Sequence, residues 1–236
     1  MKKLLIVMVA VLLLSSTVAF ADTFTFSTAA GAKESGGNSV SATAVVTTND
    51  NGTITVVLTN LIVDPNTVAQ NVSDFSFALS GGITTGGGAG SVTVAGVSRT
   101  VNSGGTFSDS GTGSTVQSTG WHNDAGLHYT VLSGGGQPAF TILGAPNSGT
   151  HIYTNAGGSI AGNGPHNPFL AGPVTFTLAV AGVTHTTQVS NWVFSFGTVG
   201  GNDVPGGGQT PEPASMFLLG TGLLGIGGAI RRKIRL

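Results

Sequence analysis

The sequence predicts an all-β protein: an antiparallel β-sandwich or jelly-roll-like body, with an N-terminal signal peptide and a C-terminal single transmembrane helix. Three observations predict it. Apolar and β-branched residues alternate with Thr or Ser over short runs, the period of a strand with one buried face. Gly, Asn and Pro punctuate those runs with no helical period between them, which favours antiparallel layers over a parallel α/β sheet. The two ends differ from the middle: each carries an uncharged apolar run beside a cluster of basic residues.

Residues 1–21 have the layout of a secretory signal. Lys2 and Lys3 give a positive start, Leu4 to Leu14 an apolar core, and Ala19-Phe20-Ala21 a small-residue close that places the cut before Asp22. The apolar core is shorter than the roughly 20 residues a membrane-spanning helix needs.

The body, 22–197, reads as eight to ten short strands. In Thr53 to Thr59, Ile54, Val56 and Leu58 point one way and the threonines the other. Val174, Phe176, Leu178 and Val180 form a second buried face, and Trp192, Phe194 and Phe196 a third. Further strands are expected at Phe24 to Thr28, Val40 to Thr48, Val72 to Leu79, Val92 to Val97, Leu127 to Leu132 and Ala139 to Leu143. Asn49-Asp50-Asn51-Gly52 tolerates positive φ and predicts a hairpin. Asp64-Pro65 hints at one or two helical turns. The long connections Ser98 to Gly126 and Gly144 to Pro173 are where a binding site is expected. The Gly-rich stretch 198–210 reads as a flexible linker.

The last segment, 211–236, opens on Pro211-Glu212-Pro213 and continues as an uncharged helix, 214–230, into the basic end 231–235 with Arg231, Arg232, Lys233 and Arg235. At about 1.5 Å per residue that helix reaches about 26 Å, close to a hydrocarbon core of about 30 Å. The positive-inside rule holds the basic cluster in the cytoplasm and leaves the tripeptide on the outer side.

Composition excludes several functions. The chain has no cysteine, so thiol chemistry, iron–sulfur clusters and disulfides are out. Of its cations only Lys33 and Arg99 lie between the signal and the C-terminal cluster, against nine acidic residues, a balance of −7. Nucleic acid is therefore no partner, because that binding needs several Lys and Arg contacts to phosphate.

The chemistry-bearing motifs are sparse. His122, Asp124 and His128 match no metal-ligand spacing. Asn49 to Gly52 lacks the distal ligands of a calcium loop, and Gly86 to Gly90 lacks the Lys and helix of a phosphate loop. No Gly-x-Ser-x-Gly elbow occurs. Thr-x-Thr pairs such as Thr23/Thr25, Thr53/Thr55 and Thr175/Thr177 recur without the fixed period of a stacked ice-binding array, and read as solvent-facing strand threonines. No catalytic, cofactor or metal residues are assigned.

Taken in order, Pro211-Glu212-Pro213, the Gly-rich Leu218 to Gly225 and the closing Arg231-Arg232-Lys233 resemble the PEP-CTERM sorting signal, a tail also labelled the ice-binding protein C-terminal motif. The resemblance covers only 211–236. It implies export through signal peptidase and the general secretion machinery, a transient inner-membrane anchor, and recognition by an exosortase. Release or transfer to the cell surface follows, often in bacteria that make exopolysaccharide. In that scheme Pro211, Glu212 and Pro213 are substrate and the catalytic residues belong to the exosortase. The expected role is a non-enzymatic structural or adhesive component of the envelope or exopolysaccharide matrix. The alternatives are a carbohydrate-binding module using Trp121 or Tyr129 as a stacking platform, and a glycan-active hydrolase using Asp109 and Asp124.

Overall fold

The computed structural model describes residues 22–85, 92–133, 137–161 and 166–209. The described chain is mostly strand: β1 (Thr23–Thr28), β2 (Ala42–Asn49), β3 (Thr53–Asn60), β4 (Val72–Leu79), β5 (Val92–Val101), β6 (Phe107–Ser110), β7 (His122–Asn123), β8 (His128–Thr130), β9 (Ile142–Leu143), β10 (Phe169–Ala179), β11 (Val189–Phe196) and β12 (Asp203–Gln209). The period-two runs form strands because alternation lets each strand bury one face and solvate the other. In β3, Ile54, Val56 and Leu58 are fully buried while the threonines between them are not.

The expected two-layer sandwich is not what forms. All twelve strands belong to one sheet, and eight of them close a barrel-like ring in the order β10, β3, β2, β1, β12, β11, β4, β9. Two short elements account for the closure. The two residues of β9 pair in parallel with β10, Leu170 opposite Ile142, and antiparallel with β4, Val72 opposite Ile142. A bulge between Ala171 and Thr175 lets β10 take β9 as a neighbour at one end and β3 at the other. Closing the ring removes unpaired edges that two separate sheets would expose.

The second closing element is β12, in the stretch read as a flexible linker. It lies between β1, with Phe26 opposite Gly208, and β11, with Phe194 opposite Val204. The glycines are strand residues here because neighbouring rings fill the space above them. A Cβ on Gly208 would come within 2.7 Å of Phe26 Cε1, and one on Gly206 within 2.9 Å of Trp192 Cδ1. Glycine is what allows the rings to lie on the strand.

The interior is one apolar cluster, with Trp192 at its centre. The Trp192 ring stacks on Phe26 at 5.3 Å, Phe75 at 5.2 Å and Phe77 at 5.3 Å. Each fully buried Phe contributes about 1.5–3 kcal/mol relative to exposure. A second cluster, including Val101, Leu143, Tyr153, Ile160 and Phe169, secures the connection before β10. Arg99 ties it down: its guanidinium bonds both Asp109 oxygens at 2.7 Å, donates to the Tyr153 hydroxyl at 3.0 Å and lies 3.8 Å over the Phe107 ring.

The predicted β2–β3 hairpin forms, with Asn49 opposite Thr53 and Gly52 at φ +72°. The helical hint moves. Asp64 has φ +52° and cannot cap a helix there; instead Thr67 caps a single 3-10 turn, Val68–Gln70. The Asp64 carboxylate accepts from Thr154 N at 2.8 Å and from Asn147 Nδ2 at 3.2 Å, stapling two loops together.

Candidate functional site

The described residues form an open cleft, a partly buried polar row and a threonine face. The cleft, about 530 Å³, lies where β12 and β11 diverge past the Pro205–Val193 pair. Its walls include Phe24 and Phe26 of β1, Gly206 and Gly208 of β12, and Gln188 and Asn191. An extra residue in β11 between Ser190 and Val193, with Asn191 at φ +51°, turns Trp192 inward. Trp192 is only 1% exposed. Its face is covered by other rings, so the cleft has a polar rim but no open aromatic surface for a sugar to stack on.

The polar row runs across five strands. Asp203, Ser195, Asp74, Thr130 and His122 lie directly opposite one another through the β12, β11, β4, β8 and β7 registers. The Ser195 hydroxyl donates to Asp203. Burial pushes the Asp74 carboxyl above its ordinary range and the neighbouring negative charge of Asp203 adds to the effect, while the adjacent Ser195 hydroxyl and His128 oppose it. His128 Nε2 is 3.5 Å from Asp74 and its Nδ1 3.6 Å from Asp124. Among the described residues no three His, Cys, Asp or Glu side chains converge as a metal site.

Of the remaining residues named from the sequence, 86–90 lie outside the described residues, and the acidic, turn and aromatic candidates have structural partners. Asp109 is held in the Arg99 fork and Asp124 lies beside His128, so separate partners take the two carboxylates considered for hydrolysis. Asp50 accepts from His185 N at 3.0 Å, and those hydrogen bonds pull its carboxyl below the usual range. Asn51 Oδ1 accepts from Thr53 N at 3.2 Å. Asn51 thus serves the hairpin, and Asp50 ties it to the connection between β10 and β11. Trp121 and Tyr129 overturn the expected stacking platform: both are core residues, 6% and 0% exposed. Trp121 Nε1 donates to Phe140 O at 3.0 Å, and burial pushes the Tyr129 hydroxyl up to about 12. Both rings turn inward because burial of apolar area outweighs their single polar atom.

The threonines read as solvent-facing strand residues are so, and what sequence reasoning missed is their alignment across strands. On the outward side of β1, β2, β3, β10 and β5, Thr23, Thr47, Thr55, Thr177 and Thr93 stand in one unbroken cross-strand row. Beside it runs Thr25, Val45, Val57, Thr175 and Ala95, and beyond that Ser27, Thr43 and Thr59. All thirteen are exposed or half-buried, and none is charged. Thr23 and Thr47 hydroxyls are 3.2 Å apart. The signal was present as period-two threonine, but only the strand registers turn scattered pairs into rows.

Against known proteins, residues 209–233 match the family model of the PEP-CTERM protein-sorting motif. The chain carries a PEP-CTERM sorting motif. That motif marks an exported protein processed by an exosortase and directed toward the cell envelope or surface. The PEP-CTERM match begins at Gln209, the last residue of β12. Pro211, Glu212, Pro213, Arg231, Arg232 and Lys233 fall within it and Arg235 just beyond; with Ala19 and Ala21 they lie outside the described residues. So does the 214–230 stretch read as a membrane helix; no helix among the described residues is long and apolar enough to cross a membrane. No curated protein and no solved structure matches the chain.

Proposed function

We propose that this chain is a non-enzymatic structural or adhesive component of the envelope or exopolysaccharide matrix. It is delivered there by signal-peptide export, held briefly at the inner membrane and released by an exosortase. The observation that carries the reading is the sorting motif's position, starting at the last residue of the strand that closes the barrel. A closed β body ending directly in a processing signal suits a cargo domain whose surface, rather than an internal site, does the work. The uncharged threonine face supports the same reading.

Production of the protein with a C-terminal tag, in cells with and without an exosortase, tests it. Mass spectrometry of the released material should give a new C-terminus near Pro211–Pro213 only in exosortase-bearing cells. Replacement of Pro211, Glu212 and Pro213 by alanine should leave the tag attached. A product that stays at the membrane of exosortase-bearing cells with its original C-terminus would reduce the tail to an ordinary anchor.

A further inference from the structure

The outward face of β1, β2, β3, β10 and β5 is unusual in what it lacks. In a body with nine acidic residues and only two basic ones, its thirteen positions hold no charge and no aromatic ring. The charged groups lie elsewhere: Asp50 in the β2–β3 turn bonded to His185, and Arg99 in its fork with Asp109. What the face presents is hydroxyl and methyl groups, about 4.7–4.9 Å apart across strands and about 6.6–6.8 Å apart along them.

Each class of partner meets this face differently. An anionic polymer finds no cation on it and an acidic protein behind it. An apolar or lipid surface would strip water from the threonine hydroxyls without replacing their hydrogen bonds. A partner that is itself uncharged, with hydroxyls and C–H groups interspersed at similar density, loses neither. We propose that this face is a docking surface for a neutral, hydroxyl-rich polysaccharide. Each threonine contact is weak; many in register, along a polymer that repeats, add up through multivalency. Ordered water at an ice surface has related chemistry, but two features favour the flexible chain. The middle row replaces threonine with Val45, Val57 and Ala95. Four of the five strands are consecutive members of an eight-strand ring, whose outer surface curves and twists rather than lying flat like a crystal plane.

The proposal rests on the matrix reading, and its test separates the two. The protein released from exosortase-bearing cells is passed over cellulose and cross-linked dextran, with alginate as the anionic comparison. Retention on a neutral polymer that persists in high salt is expected. Combining Thr47→Glu, Thr55→Glu and Thr177→Glu should weaken retention about tenfold or more, because each buried glycan contact would then desolvate an unpaired charge. The same three positions changed to valine keep the β-branched shape, guard against loss of fold, and should also weaken retention. Ser190→Glu, in the cleft, should leave it unchanged. A folded protein retained on neither neutral polymer overturns the proposal. So does loss of retention in Ser190→Glu alone, or arrest of ice growth without glycan retention, which would reassign the face to ordered water. Mass spectrometry of the same sample reports the C-terminus independently: correct processing without retention sinks the docking surface alone, and an intact C-terminus sinks the sorting reading alone.

Discussion

Gly208 lies directly opposite Phe26 in the β1–β12 ladder, so near that a Cβ on the glycine would sit 2.7 Å from the ring's Cε1. The ring is 4% exposed and held from the other side by Trp192 at 5.3 Å, so it has little room to retreat. Gly208→Ala and Gly206→Ala should each destabilise by about 1–3 kcal/mol through overpacking. Thermal melting should show a drop of about 2–4 °C per kcal/mol for a protein of this size. A linker glycine would tolerate the same change, so an unchanged melting curve would contradict the role given to β12.

Deletion of Asp203–Gln209 should be far more damaging than truncation after Gln209. It leaves β1 and β11 as bare edges and uncovers Trp192 and Phe26, a surface prone to strand-to-strand association. Size-exclusion chromatography should show aggregation for the deletion and a monodisperse species for the truncation, with the latter melting like the processed protein.

Asp74 gives the fold a particular pH response. Burial raises its folded-state value above the ordinary 3.8. Below 3.8 both folded and unfolded chains hold the proton and the group contributes no pH dependence; above the folded value the buried charge is a full penalty. Its contribution to stability therefore declines as pH rises through that window. Asp74→Asn should melt higher than the wild type at pH 7, with the gap shrinking toward pH 3. Asp64 has the opposite sign: despite partial desolvation, its hydrogen bonds from Thr154 and Asn147 lower its value, so its stabilisation is lost as pH falls.

Arg99→Lys should behave as a real loss despite conserving charge. Lysine cannot make the two-pronged bond to Asp109, reach Tyr153 and lie flat on Phe107 together. About 1–2 kcal/mol of destabilisation is expected. Limited proteolysis should show faster cutting between Gly144 and Ala161, the segment Tyr153 anchors.

Much of the fold was legible in the sequence because alternation is a local signal. Ile54, Val56 and Leu58, or Trp192, Phe194 and Phe196, identify a buried strand face without reference to anything distant. Closure was not legible. The Ala139 to Leu143 run announces a strand but not that Ile142 and Leu143 bridge two distant strands, and the glycines of β12 resemble a linker until Phe26 and Trp192 are seen covering them. The same limit applies to the surface. Thr55 and Thr177 are far apart in the chain, and only the ladder that sets them opposite each other reveals a row. Trp121 looked available because long connections are usually exposed, and Tyr129 because it follows one, yet their apolar area was enough to draw them into the core.

Pairing of the first body strand with the last has a consequence for biogenesis. As the polypeptide threads outward from its amino end, β1 and its neighbour β2 emerge early, but β1 must wait for its other neighbour, β12, until almost everything else has crossed. The cylinder can be completed only when the residues just ahead of the sorting motif reach the far side. Maturation by the processing enzyme and completion of the tertiary structure thus become available at nearly the same moment, and a chain stalled midway through export would present neither.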